Sequence, residues 1–291
     1  MSSSFQPLQK IKILDLSRLL PGPFCTYLLK NLGAEITAID SPYEKEVLTF
    51  PVIQKGKKRI LLDLKSFKGK KQFEKLVQKS DVVFEGFRPG VLDRLGLGFK
   101  NLKKINPKII LCSLTGYGQK KPKEAGHDLN YLSLSGVLSS LSPGARLPSV
   151  PGLPLADLVG GMSAAVQILS ALTIPKNLRK AVHLDVSICE AIHQWNLPFT
   201  GKVKKEIRSL CSGNLARYRL YETQDQKVLA VAALEEKFWK KFVEAIHLPT
   251  SIVEAGEQSA ILWLKNKFRE KSRKEWLKIL KDPDLCVTPV L

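Results

Sequence analysis

Along this chain the spacing of apolar residues switches repeatedly between two periods. Short, nearly continuous apolar runs alternate with stretches in which apolar residues recur every three or four positions, the marks of buried strand and amphipathic helix. Ile11–Leu16 reads as a first strand, followed by the turn Ser17-Arg18-Leu19-Leu20 and a helix opened by Pro21 and Pro23. Leu32-Gly33 stops that helix, and Ala34–Asp40 is a second strand. Further strands are predicted at Arg59–Leu64, Asp81–Phe87, Lys108–Leu114 and Val182–Val186. Helices are predicted between and after them at Phe67–Lys79, Val91–Leu95, Leu129–Leu141, 158–172 and Ser187–Trp195. Such alternation argues for a parallel sheet with helices on both faces. The pattern then loses its period over Leu197–Leu210, which reads as a linker. Beyond it lie an antiparallel pair, Ala216–Thr223 and Lys227–Ala233, and helices at Glu236–Ile246, near Ser259–Glu270 and at Lys274–Lys281. The predicted class is α/β: a large Rossmann-like parallel-sheet domain over residues 1–199 and a smaller α+β domain over 205–291.

The first turn has no GxGxxG, so no nicotinamide or flavin cofactor is indicated. Chemistry concentrates at two helix starts. Gly126-His127-Asp128-Leu129 stands where a loop feeds a helix, and Asp157 stands at the mouth of the apolar helix that follows. A helix N-terminus offers open backbone N–H groups and a positive dipole end, which keep an imidazole neutral and stabilise nearby negative charge. Capping alone would equally account for Asp128 and Asp157. The local pattern leaves both readings open.

Composition narrows the class. With 44% hydrophobic and 25% charged residues, the 291-residue chain is of ordinary globular make-up. Met1–Lys12 carries no signal-peptide pattern. The apolar stretch Leu153–Pro175 contains Asp157 and Gln167 and reads as a buried helix, not a membrane span. Five scattered cysteines without metal-ligand spacing point to a reducing, cytoplasmic setting and to no metal site. The net charge of +19 favours anionic partners. Its lysines are spread along the chain, however, and no nucleic-acid-binding motif accompanies them, so a solvated basic surface without a nucleic-acid partner is expected.

Several runs stand out in order along the chain: Asp15-Leu16-Ser17 with Pro21-Gly22-Pro23-Phe24, then Leu61-Leu62-Asp63-Leu64-Lys65, and Ser80 to Val91 with Glu85-Gly86-Phe87-Arg88-Pro89-Gly90 inside it. Arg94-Leu95-Gly96-Leu97-Gly98, Gly126-His127-Asp128-Leu129-Asn130-Tyr131, Ala156-Asp157 with Gly160-Gly161, Ala230 to Glu235, and Cys286 to Leu291 complete the set. Together they resemble the type III CoA-transferase (CaiB/BaiF-like) family, most closely its alpha-methylacyl-CoA racemase branch. The resemblance implies an enzyme that inverts the 2-methyl centre of branched acyl-CoA thioesters, with His127 and Asp157 as acid/base groups and Glu235 as carboxylate partner of the histidine. It places Arg88, Leu61, Leu62, Asp63, Leu64, Gly126, Asp128, Asn130 and Tyr131 around CoA and the substrate. No cofactor is implied beyond the CoA that is part of the substrate, and the implied assembly is a homodimer. The alternatives are a CoA-transferase using Asp157 as nucleophile and an inactive CoA-binding remnant.

Two departures stand out. Family racemases carry an arginine after the acid that ends the second strand; here Ser41 follows Asp40, leaving Lys45 or Lys57 to substitute. Family chains also run on beyond Val-Thr-Pro-Val to complete the large domain, whereas this sequence stops at Leu291. The resemblance then implies an open ring, exposed apolar surface, low solubility and dye binding.

Overall fold

The computed structural model of the chain describes residues 5–43, 50–142, 145–200 and 212–291. Two compact units divide it, Met1–Leu197 and Pro198–Leu291.

In the first unit six parallel strands form one sheet: β1 (Lys12–Asp15), β2 (Glu35–Asp40), β3 (Lys58–Leu61), β4 (Val82–Glu85), β5 (Ile110–Thr115) and β6 (Val182–Ser187). Their order is β3-β2-β1-β4-β5-β6. The three strands read from 11–16, 34–40 and 108–114 therefore share one sheet. The chain works outward from β1 to β3, then returns to place β4 on the other side of β1. That reversal opens a crevice at the carboxyl ends of β1 and β4, where ligands bind in sheets of this kind.

Both faces of the sheet are covered. On one lie helices α1 (Pro21–Asn31), α8 (Leu155–Leu172) and α9 (Ile188–Asn196), packed over Ile13, Phe84, Cys112 and Val186. On the other, α3 (Phe67–Gln78), α4 (Val91–Arg94) and α5 (Phe99–Ile105) cover Leu14, Val83 and Leu111. A short α2 (Pro51–Gln54) precedes β3. The apolar stretch ending at Pro175 is mostly α8, which is long and apolar enough to cross a membrane by length and composition. Its Ala156, Ala164, Ala165 and Ile168 lie in the core, as expected of a buried helix.

Small residues let α8 approach its neighbours. A Cβ on Gly161 would fall 2.4 Å from the Pro21 carbonyl oxygen of α1, and one on Gly160 would fall 2.8 Å from the Ile188 side chain. Backbone cannot yield as a flexible side chain can. Gly161→Ala is expected to cost about 1–3 kcal/mol, the range for an overpacked core. Urea unfolding measures it, and an unchanged midpoint would contradict the close approach.

The helix read as one element over 129–141 is two, α6 (Asp128–Leu134) and α7 (Val137–Leu141). Gly136 separates them with φ 77°, a left-handed conformation that suits glycine. Asn196 fixes the break by donating from Nδ2 to the Ser135 carbonyl at 2.9 Å.

The second unit has a three-stranded antiparallel sheet of β7 (Tyr218–Glu222), β8 (Val228–Ala232) and β9 (Val287–Pro289), in the order β7-β8-β9. Helices α10 (Glu236–Ile246), α11 (Thr250–Glu254), α12 (Glu257–Phe268) and α13 (Arg273–Ile279) complete it. In its core Trp239, Phe242 and Phe268 stack, Trp276 meets Phe268 edge to face, and Tyr221 and Leu229 belong to the same cluster. Hairpin and helices match the sequence pattern to within a few residues; α2, α5, α11 and β9 are additions to it. Most of the expected linker, residues 201–211, lies outside the described residues.

Candidate active site

A cavity of about 470 Å³ opens at the switch point of the sheet. The loop after β1 gives it Ser17, Arg18 and Leu19, and the loop after β4 gives it Gly86, Phe87 and Arg88. Gly126, His127, Asn130 and Tyr131 line it from the start of α6, and Asp157 from α8. The structure thus gathers around one space a histidine and a carboxylate that are thirty positions apart in sequence.

His127 is the N-cap of α6. Its backbone N–H donates to Asn130 Oδ1 at 3.0 Å, which fixes the first turn and leaves the exposed imidazole to the cavity. Behind it, Tyr131 donates its hydroxyl to the Gly126 carbonyl at 2.5 Å and meets Tyr117 edge to face at 5.2 Å. Gly126 lets the Tyr117 ring come close, since a Cβ would lie 2.6 Å from the Tyr117 hydroxyl.

Neither aspartate caps the helix expected of it. Asp157 is the third residue of α8, whose N-cap is Pro154. Asp128, the first residue of α6, caps α8 from outside: its Oδ1 accepts the Asp157 N–H at 3.0 Å. One carboxylate thereby ties the two helix starts together and frees the other for the cavity. The Asp157 carboxylate accepts no hydrogen bond among the described residues. Burial first, and the neighbouring Asp128 second, push its pKa up to about 6, while His127 acts in the opposite direction. Burial likewise raises Asp128, against the backbone N–H groups of Asp157 and Ala156.

This coupling gives a pH prediction. A reaction step that needs Asp157 ionised should gain rate as pH rises through about 6. Asp128→Asn keeps an oxygen for the Asp157 N–H and removes the like charge. That acid limb should therefore move to lower pH, with a stability loss of about 0.5–2 kcal/mol from the weakened cap. A pH–rate profile of the variant checks it; an unmoved limb would mean that Asp128 does not set the Asp157 charge.

A second cavity, about 330 Å³, lies at the carboxyl ends of β1, β2 and β3 and shares Arg18 and Phe87 with the first. Leu62, Asp63 and Leu64 line it, with Asp40, Ser41 and Tyr43. Tyr43 donates to Asp63 Oδ2 at 2.7 Å. Leu61 does not belong to either cavity: it ends the edge strand β3 and is 66% exposed. Arg88 is exposed and has no partner among the described residues, as a ligand-binding guanidinium requires. Glu235 belongs to the second unit, where it is the exposed N-cap of α10.

Lys57 cannot replace the missing arginine. Its ammonium is fully buried 3.5 Å from Asp15 Oδ2 and donates to Thr26 Oγ1 at 2.7 Å and to the Pro23 carbonyl at 2.8 Å. Lys45 lies outside the described residues. At the position in question Asp40 is held instead by Arg59, with Nε at 3.0 Å and a terminal nitrogen at 2.7 Å.

Sequence reasoning missed Ser17, Arg18 and Leu19 as cavity walls. Leu19 is in the left-handed region at φ 62°, an uncommon conformation for a branched residue and one found at functional loops. The available signal was position: Asp15-Leu16-Ser17 follows the strand at which the sheet reverses. Among the described residues no group of three or more His, Cys, Asp or Glu could hold a metal ion.

Strand order and the crevice at the switch point define a doubly wound α/β fold, with its ligand crevice at the carboxyl ends of the strands. The family is specific: residues 8–291 match the model of CoA-transferase family III, and the chain belongs to that family of enzymes acting on CoA thioesters. It is 35% identical over 299 residues to a CaiB/baiF CoA-transferase family protein of Caenorhabditis elegans, covering 98% of this chain and 86% of that one. Human alpha-methylacyl-CoA racemase is 34% identical over 98% of this chain and 78% of its own length. Human succinyl-CoA:glutarate CoA-transferase is 28% identical over 96% and 67%. A CAIB/BAIF family protein from Brucella suis has the same fold, with a TM-score of 0.79 at 22% identity, over 98% of this chain and 84% of that one.

Proposed function

We propose that the chain is an acyl-CoA racemase that inverts the 2-methyl centre of branched acyl-CoA thioesters. The carrying observation is that His127 and Asp157, two proton-transfer groups of different kind, line one cavity. The 34% identity to human alpha-methylacyl-CoA racemase supports the same reading.

In this reaction one group removes the α-proton from one face of the carbon and the other returns a proton to the opposite face. From one stereoisomer His127 is the base and protonated Asp157 the acid; from the other the roles exchange. A carboxyl group with a pKa of about 6 is populated in both forms near neutral pH, as exchange of roles requires. The enolate formed between the two steps carries its charge on the thioester oxygen. Backbone N–H groups at the start of α6 stabilise it there, since Asp128 and Leu129 spend theirs on no other described residue. Arg88 and the crevice of Leu62, Asp63 and Leu64 hold CoA, which arrives as part of the substrate, so the reaction needs no separate cofactor. Glu235 as carboxylate partner of the histidine, and a homodimer as the working assembly, complete the proposal on the strength of the family.

Transfer of CoA between acids is the competing activity, with the open Asp157 carboxylate as nucleophile. One incubation separates the two. A single stereoisomer of a 2-methylacyl-CoA is supplied with and without a free carboxylic acid. Racemase activity yields the epimer in both; transferase activity yields a new thioester only when the acid is present.

A further inference from the structure

On the opposite face of the sheet from α8, a polar line crosses three strands. Glu85 ends β4 and is 3% exposed. Ser113 stands directly across from it on β5, and its hydroxyl favours the ionised carboxylate. Ser113 Oγ lies 2.8 Å from Nε2 of His183 on β6, whose ring stacks on Phe99. Glu85 also reaches forward along its own chain: its Oε2 accepts the Phe87 N–H at 2.7 Å. Phe87 walls both the reaction cavity and the neighbouring crevice, and Arg88, the next residue, walls the reaction cavity. None of these three polar groups touches the proton-transfer cavity, so the reaction as described makes no use of them.

We propose that Glu85 is a positioning residue: its carboxylate, backed by Ser113 and His183, holds the 86–90 loop in its acyl-CoA-binding form, and protonation of this line weakens that hold. The inference rests on the acyl-CoA reading of the two cavities. With Glu85 ionised, Ser113 donates to it and His183 donates from Nε2 to Ser113. On proton uptake Glu85 itself donates to Ser113, whose hydroxyl hydrogen turns to Nε2 of the other imidazole tautomer. The charge-assisted bond to the Phe87 N–H becomes an ordinary one. A cavity of about 450 Å³, lined by Glu85, Ser113, His183 and Arg88, gives water access to the line.

The charges around Glu85 favour proton uptake near neutrality. Burial is the main cause and Asp93 of α4 and Asp185 of β6 add to it, against the bonds from Ser113 and Phe87; the outcome is a pKa of about 7. Arg88 and Lys100 line the same cavity. Burial lowers the pKa of His183, so its ring is neutral when Glu85 titrates.

The test is the affinity of the full chain for 2-methylhexanoyl-CoA between pH 6 and pH 8.5, by calorimetry. Wild type should bind more weakly below neutrality. Glu85→Gln keeps an oxygen for Phe87 and a donor for Ser113 but has no charge. It should bind about 3- to 10-fold more weakly than wild type at pH 8, a charge-assisted bond reduced to a neutral one, and lose the wild-type rise through neutrality. Ser113→Ala removes the hydroxyl that favours the ionised form, so its rise should be centred at higher pH. Equal affinities of wild type and Glu85→Gln at pH 8, or an unmoved midpoint in Ser113→Ala, overturn the inference. Wild type that binds with this pH dependence but does not epimerise sinks the racemase reading alone. Wild type that binds no acyl-CoA overturns both.

Discussion

His127→Ala and Asp157→Ala are each expected to abolish epimerisation, with losses of about 10²–10⁴-fold or more on the scale of general acid–base catalysis. Inversion needs a proton removed on one face and supplied on the other, so neither group can stand in for its opposite. Exchange is a weaker requirement. A single remaining base can take a proton and return one from solvent on its own face. Each variant is therefore expected to retain α-proton exchange in one stereoisomer, and the two variants in opposite ones. A transferase behaves differently: Asp157→Ala removes activity, His127→Ala has little effect, and an acyl group can be trapped on Asp157. Capping is already separated from this outcome, because Asp157 is not the N-cap of α8 and its carboxylate bonds to no described residue. Undiminished epimerisation in both variants would end the racemase reading.

The largest stability effect is expected at Lys57. Its ammonium and the Asp15 carboxylate are both removed from water beneath the first turn of α1. Asp15 also accepts from the Ser17 and Thr26 hydroxyls, so this cluster fixes the loop that forms one wall of the cavity lined by His127 and Asp157. Lys57→Met leaves Asp15 without its counter-ion and should cost about 3–5 kcal/mol, the usual consequence of breaking a buried pair from one side. Removing both charges with Lys57→Met and Asp15→Leu should recover much of that loss, because no lone charge stays buried. Urea unfolding of wild type, single and double variants measures the cycle. A single variant within about 1 kcal/mol of wild type would show that the pair is not buried as described.

Much of the large unit was legible because its strands β4 and β5 are buried on both faces. Val82-Val83-Phe84 and Ile110-Leu111-Cys112 are continuous apolar runs, which parallel strands demand. The pairing of His127 with Asp157 came only through the resemblance; the local pattern showed two helix starts and left chemistry and capping equally open. The break at Gly136 carried a signal, a glycine within an apolar period, but the period alone favoured continuity. β9 is three residues long and pairs with β8 from more than fifty positions away, so no local period could reveal it. The burial of Lys57 and the reach of Asp128 to α8 are tertiary facts. Lysine and aspartate are surface residues by default, and only the assembled fold shows a partner waiting for each. For the same reason the bland explanation of Asp157 failed: the residue two helices earlier had already taken the capping role.

The proposed reaction requires that the α-carbon of an acyl-CoA be deprotonated on one face and reprotonated on the other. Wild-type protein incubated with one pure stereoisomer of a 2-methylacyl-CoA in deuterium oxide, with no carboxylic acid added, measures this directly. The predicted result is the opposite stereoisomer carrying one deuterium at the α-carbon, confirmed by mass analysis and chiral separation. Recovery of the starting stereoisomer without deuterium, in a preparation that forms a new thioester once a carboxylic acid is supplied, would contradict it.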